Sequence, residues 1–229
     1  MTEKRKLPDS RPSEQTRQAL IGAGLALFGE KGFDATSTRE IAAAAEANIG
    51  SIAYHFGNKQ GLRIACANHI VDTVAGVAGR ALSRPGDLPQ DPEAARAALA
   101  SIIETMAAFL LTRPEADAFV QFLLREIAQP GKTVEIIYDG VFFPVHSRLC
   151  QLWEDATGEP AESEAARITV FTLIGQVIYF RIAKPIVLKR MGWSRFGAQE
   201  VAKIVAVAAA SMHLLAADRA GETNPESDR

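Results

Sequence analysis

Asn48, Ile49, Gly50 and Ser51, followed by Tyr54 and His55, form a short run of small, polar and aromatic side chains. At the start of a helix such a run reaches base edges: Asn and Ser donate and accept hydrogen bonds there, and Ile49 suits a thymine methyl. The run is not strongly basic, so phosphates would be held by a few placed donors. Thr38 and Lys59 stand at the starts of the flanking helices, where a hydroxyl or an ammonium adds to unpaired backbone N–H groups. Arg39, beside Thr38, and Ala53, beside Tyr54, complete the candidate DNA-binding set. Two positions keep an alternative: Tyr54 could pack inside, and His55 could orient its helix by a hydrogen bond.

Other chemistry is poorly served. The two cysteines, Cys66 and Cys150, make neither a disulfide framework nor a Cys-x-x-Cys metal knuckle. His146 and Cys150 have the i, i+4 spacing of two metal ligands but lack a third, which favours a structural pair. Nothing flanking Cys66 lowers its thiol pKa. Glu154-Asp155 and Glu162/Glu164 read as solvated helix ends. No Ser/His/Asp arrangement, phosphate-binding loop or dinucleotide fingerprint is present, so the expectation is no enzyme, no cofactor and no metal.

The elements that must position the first run are helical, since apolar residues recur at helical spacing nearly everywhere and no segment alternates with period two. An all-α fold follows. Helix one is expected over Ser13–Gly29, with Leu20, Ile21, Gly24, Leu27 and Phe28 on one face and Gly32 as its stop. Ser37-Thr38-Arg39-Glu40 is a capping box that starts a helix at Thr38, ending near Ala45. Asn48 caps a second short helix over Ile49–Phe56, and Gly57-Asn58 closes it and caps a long helix from Lys59 to about Arg84. Two helices of about two turns, joined through Glu46-Ala47-Asn48, have helix-turn-helix dimensions. Ile41, Ala42, Ala45, Ile52 and Phe56 form its inside.

After a loop over Pro85–Pro92, Asp91-Pro92-Glu93 starts a helix with Leu99, Ile102, Ile103, Met106 and Leu110 on one face. Arg113-Pro114 breaks it, and a helix rich in Phe119, Phe122, Leu123 and Ile127 runs to Pro130-Gly131. Helix over Lys132–Thr157 is interrupted at Pro144 and ended by Gly158. Two long apolar helices remain, Ser163–Ala183, continuing past Pro185 towards Met191, and Phe196–Ala217. Residues 1–12 and 221–229 read as flexible tails, 13–63 as the DNA-binding domain and 64–220 as a larger helical domain.

At these residues the chain resembles the TetR family of bacterial transcriptional regulators. The matching run is Thr36-Ser37-Thr38-Arg39-Glu40-Ile41-Ala42, then Ala45, then Gly50 to Leu62 with its Tyr54-His55-Phe56 and Lys59, preceded by Leu27-Phe28 and Lys31-Gly32-Phe33. It covers about residues 14–74. Glu46 stands where the family has its turn Gly, and Ala53 where many members have Tyr. The resemblance implies that Thr38 and Lys59 hold phosphate, that Tyr54 and His55 contact backbone or bases, and that Asn48, Gly50 and Ser51 lie nearest the groove. It also implies that the larger part is an effector-binding and dimerisation domain. There the Ile182-Ala183-Lys184-Pro185 and Met191-Gly192-Trp193 stretches are similar to the CecR-like branch.

Read from its own residues, the larger part offers two features. Helix 163–183 is apolar nearly all round and needs neighbours on two sides. With it, a stripe on the last helix would pair across a two-fold axis into a four-helix bundle. The expected homodimer interface is Ile178, Ile182, Val201, Ile204, Val205, Ala208, Ser211, Met212 and Leu215, unless these are monomer core. An aromatic concentration suggests a pocket for a small apolar or aromatic effector, with Met106, Phe109, Phe122, Phe142, Trp153, Phe171 and Tyr179 lining it and Arg125, Tyr138, His146, Gln176 and Arg181 as anchors. Position by position these residues read more readily as core, with some cavity among the helices still expected.

With 229 residues, 48% hydrophobic and 23% charged, the chain holds one or two globular domains and is no disordered or rod-like protein. The net charge of -2 divides unevenly: nine Lys/Arg face seven Asp/Glu through Arg63, and sixteen face twenty beyond it. A cytoplasmic location is expected, since the N-terminus lacks an export signal. No membrane partner is expected, because the longest apolar stretch, Ile168–Ile182, is short and holds Gln176 and Arg181. The expected activity is a ligand-responsive repressor, a homodimer on a palindromic double-stranded DNA operator. The alternative is a DNA-binding adaptor or chromosome-organising protein without small-molecule control.

Overall fold

The computed structural model describes residues 10–79 and 91–222. Most of both expected tails, the end of the long helix beyond residue 79 and most of the following loop lie outside the described residues. Every regular element among the described residues is helical: α1 (Ser10–Lys31), α2 (Thr38–Ala44), α3 (Gly50–Phe56), α4 (Lys59–Ala78), α5 (Pro92–Thr112), α6 (Glu115–Ala128), α7 (Lys132–Ile137), a π-helical turn (Tyr138–Phe142), α8 (Phe143–Thr157), α9 (Glu164–Ile182), α10 (Lys184–Met191) and α11 (Ala198–Glu222). Both ends of α1 and the end of α11 move outward. Helix α1 takes in Ser10 and Pro12, because a proline in the first turn costs no intrahelical hydrogen bond, and α11 runs on to Glu222.

Two compact units form, one from the chain through Ile70 with Ala118–Ile137, the other from Val71–Asp117 and the chain from Tyr138 on. The first is therefore not the continuous 13–63 segment. Phe122 of α6 is fully buried, its ring 6.4 Å from that of Phe28 in α1. A Cβ on Gly29 would stand 3.0 Å from Phe122 N, so α1 and α6 meet closely enough to crowd even a methyl group there. This core also holds Leu20, Ile21, Leu25, Ile41, Ile52, Leu62, Cys66 and Ala67. Gly24 lets α4 close on α1, with the Cys66 Sγ donating to the Ile21 carbonyl at 3.6 Å.

The second unit is a bundle of α5, α8, α9 and α11. Leu99, Ile103, Leu111, Leu149, Leu152, Trp153, Val170, Leu173, Val177, Ile204, Ala208 and Met212 fill its interior. Asp91 accepts from the Ala94 N–H at 2.8 Å to start α5, and Ser163 accepts from Ala166 to start α9. The interruption near Pro144 is the π-helical turn just ahead of it: Pro144 has no N–H to continue an α ladder and sits in the first turn of α8. Within the turn Gly140 faces Val71, whose methyls would lie 2.7 Å from an added Cβ. Helices α5, α9 and α11 are each long and apolar enough to cross a membrane, more than the sequence reading allowed. Their apolarity divides between the bundle core and exposed faces, and in α9 the buried Arg181 pairs with Asp117.

Candidate nucleic-acid interface

Local chemistry builds the first unit's outer edge step by step. The Ser37 hydroxyl accepts from the Glu40 N–H at 3.1 Å, and the Glu40 carboxylate accepts from the Ser37 N–H at 2.8 Å, so both halves of the capping box form. Lys31 closes on the same carboxylate at 2.8 Å. That ammonium first, with the Ser37 N–H and hydroxyl, holds the Glu40 carboxyl down to about 2. Helix α2 ends with Glu46 at φ 50°, the one non-glycine residue at positive φ among the described residues. The Ala47 N–H donates to the Ala42 carbonyl at 2.9 Å and the Glu46 N–H to Ala43 at 3.1 Å, a Schellman motif with Glu46 where glycine is usual.

Asn48 Oδ1 accepts from the Gly50 N–H at 2.9 Å and its carbonyl from Ser51, so α3 starts at Gly50, one residue later than expected. Gly57, at φ 78°, ends α3, and Asn58 Oδ1 accepts from the Gly61 N–H at 2.8 Å to begin α4. Gly61 lies so close that a Cβ would overlap the Phe56 carbonyl, which fixes the angle between α3 and α4.

These turns leave one outward edge. Ile52 is buried on α3's inner side, while Tyr54 is 81% and Ile49 51% exposed. Asn48, Gly50 and Ala53 are exposed and Ser51 half-buried. His55 is half-buried with its ring edge-on to Tyr54 at 4.8 Å. Thr38, half-buried, and Arg39, exposed, stand in the first turn of α2. Lys59 is placed differently from expectation. Its ammonium donates to the carbonyls of Phe33 at 2.9 Å and Thr36 at 3.0 Å and lies 4.2 Å from the Phe33 ring centroid. Its ammonium thus closes the α1–α2 loop.

The expected effector residues do not converge. Phe122 and Arg125 belong to the first unit, Arg125 donating to the carbonyls of Gly29 and Glu30 at the end of α1. Trp153 is fully buried, its indole N–H donating to Glu159 at 2.8 Å. Tyr138, Phe171 and Tyr179 are each more than half exposed, and Met106, Phe109, Phe142 and Gln176 are half-buried. His146 Nε2 lies 3.2 Å from the Arg167 carbonyl, and its ring stacks on Phe171 at 4.0 Å. Cys150 Sγ sits 3.6 Å from His146 Nδ1, and burial pushes that thiol up to about 11. A shallow groove along Pro185, Ile186, Lys189 and Arg190 shares none of these residues. Asp155, expected at a solvated helix end, is instead half-buried with its Oδ2 atom covered and without a hydrogen-bond partner, and the same holds for Nε and Nη1 of Arg148 two turns earlier on one stripe of α8, a residue for which the sequence suggests no role. A lone basic residue inside a long amphipathic helix gave no signal.

The expected dimer stripe is also corrected. Val201, Ile204, Ala208 and Met212 are buried in the subunit's own core, and Val205 packs against it. The stripe left outside on α11 carries Val207 at 68% and Leu214 at 74% exposure, with the expected Leu215 at its edge at 39%. On α9 the exposed face is Ile168, Phe171, Gly175, Tyr179 and Ile182, with Ile178 and Ser211 half-buried.

Comparison with known proteins gives this edge its context. The profile described as bacterial regulatory proteins, tetR family, matches residues 20–66, and the profile of the HTH-type transcriptional dual regulator CecR, C-terminal domain, matches residues 95–218. The HTH-type transcriptional dual regulator CecR of Shigella flexneri is 36% identical over 186 residues, covering 80% of this chain and 83% of the relative. Among solved structures, one from Pseudomonas aeruginosa PAO1, solved as a candidate transcriptional regulator, superposes with a TM-score of 0.68 at 19% identity, covering 96% of this chain and 97% of that one. AibR in complex with isovaleryl coenzyme A and operator DNA superposes with a TM-score of 0.63 at 19% identity, covering 86% and 97%. A DNA-reading helix-turn-helix followed by a CecR-type helical domain makes this chain a member of the TetR family of DNA-binding transcriptional regulators, in its CecR-like branch.

Proposed function

We propose that the protein is a cytoplasmic, ligand-responsive repressor that binds a palindromic operator as a homodimer. The observation that carries the dimer is the pair of uncovered apolar stripes, Ile168, Phe171, Tyr179 and Ile182 on α9 and Val207 and Leu214 on α11. Two copies related by a two-fold axis would bury both in a four-helix bundle. The same axis sets two reading edges about 34–36 Å apart, one DNA turn. Asn48, Ile49, Gly50, Ser51, Ala53, Tyr54 and His55 then serve the groove, while Thr38, Arg39 and the first turn of α4 serve phosphate.

Control by a small molecule is supported by AibR, captured with isovaleryl coenzyme A and operator DNA. It is also supported by the unpartnered buried polar atoms of Arg148 and Asp155, two half-buried side chains on one stripe of α8. The effector favours a state whose reading edges miss consecutive major grooves, and DNA favours the other. Selection of random duplex DNA with the purified full-length protein tests the reading and should return a two-fold symmetric site. A single asymmetric half-site would exclude the dimer. A ligand that raises the melting temperature but leaves operator affinity unchanged would be excluded as the effector.

A further inference from the structure

The segment between α1 and α2 has little regular structure and ends on the Ser37 cap that starts α2. Its one large side chain, Phe33, lies against two cations of α4: Lys59 Nζ is 4.2 Å and Arg63 Cζ 4.7 Å from the ring centroid. Ring and cation attract through the aromatic quadrupole, and a long Arg side chain gives up less freedom over a ring when its fork is already held. Glu126, 63 residues further along the chain, holds it. Arg63 Nε lies 2.9 Å from Oε1 and 3.1 Å from Oε2, and Nη2 lies 2.7 Å from Oε2. Glu126 is 2% exposed, so removing Arg63 alone would leave a buried carboxylate without its ion-pair partner. The neighbouring Arg125 fixes α6 to the last carbonyls of α1, and Gly29 brings the two helices into backbone contact. Glu126 therefore reaches α4 from a fixed seat.

We propose that Glu126 is a positioning residue for DNA contact. It orients Arg63 over Phe33 and thereby fixes the loop that sets Thr38 and the first turn of α2 against phosphate. The profile match to the DNA-binding module ends at residue 66, so this assigns a part in DNA binding to a residue well outside it. The inference rests on the reading that the first turn of α2 faces phosphate.

Full-length Glu126→Gln and the double variant Arg63→Met with Glu126→Met test it, by operator affinity, melting temperature and amide exchange of residues 33–38 in the DNA-free protein. Glu126→Gln is expected to weaken operator binding about tenfold with an unchanged salt slope, since no phosphate contact is removed, and to speed exchange at residues 33–38 about tenfold. The double variant buries no charge. It should regain the melting temperature yet keep the weak binding and fast exchange, because no guanidinium rests on Phe33. Operator affinity within about twofold of wild type in the double variant, or unaltered exchange in Glu126→Gln, would overturn the proposal. A wild-type protein that selects no DNA would instead sink the underlying reading, and the exchange measurement would still decide whether Glu126 sets the loop.

Discussion

Lys59 holds Phe33 twice, donating to its carbonyl at 2.9 Å while its ammonium lies 4.2 Å from the centre of its ring. A residue type that suggests phosphate binding is thus engaged inside the reading edge. Lys59→Ala should destabilise the protein by about 2 kcal/mol, the range for a hydrogen-bonded charge, as read from the urea midpoint. Operator binding should weaken at all sequences, with the slope of log affinity against log salt changing by less than about one. A full unit of slope would restore the ammonium to the phosphate.

Glu46 carries positive φ where the Schellman motif favours glycine. Glu46→Gly should raise stability by about 0.5–1 kcal/mol, the left-handed strain relieved less the added freedom of the unfolded chain. Equilibrium urea unfolding reads this directly. A lower midpoint would mean that the Glu46 side chain makes a contact outweighing the strain.

The two stripes of α11 should separate cleanly. Leu214→Glu, on the exposed stripe, should convert dimer to monomer in sedimentation velocity with helicity unchanged. Met212→Ala, on the buried stripe, should cost about 2–5 kcal/mol of stability while the surviving folded protein still associates. The reverse pattern would return the interface to the buried stripe.

The cap of α2 should respond to acid. The folded Glu40 carboxyl titrates at about 2 against an ordinary 4.5, so its charged form favours the fold at neutral pH, and that contribution fades as pH falls from the ordinary value towards the folded one. Wild type should exceed Glu40→Gln in urea midpoint at pH 6, and the gap should narrow below about pH 4.5. A gap constant from pH 6 to pH 3 would show that charge contributes nothing to the cap.

Helix ends were the most legible part of the chain, because a cap is chemistry between near neighbours. Ser37 with Glu40, Asn58, Asp91-Pro92 and Gly158 all stand where their spacing predicts. The outward run on α3 was legible for the same reason, since Ile52 can face inward only if Tyr54 faces out. What stayed hidden depends on distant partners. Nothing near Phe122 or Arg125 says that α6 closes on α1 rather than on the aromatic helices around it. On α11 apolar residues occupy most positions, so periodicity offers two stripes, and only packing against α5 and α8 decides that Met212 is inside and Leu214 outside. Lys59 sits at a helix start in either reading, and only the folded loop brings the Phe33 and Thr36 carbonyls to its ammonium.

The passage of Ala118–Ile137 into the first unit bears on how such proteins can be cut and recombined. A fragment ending after α4 would leave Arg63 without its carboxylate and Phe28 without the ring that covers it. A hybrid regulator that borrows this chain's operator preference must therefore import two separate segments, the N-terminal helices and α6 with α7, and a single junction after the helix-turn-helix would sever a working part.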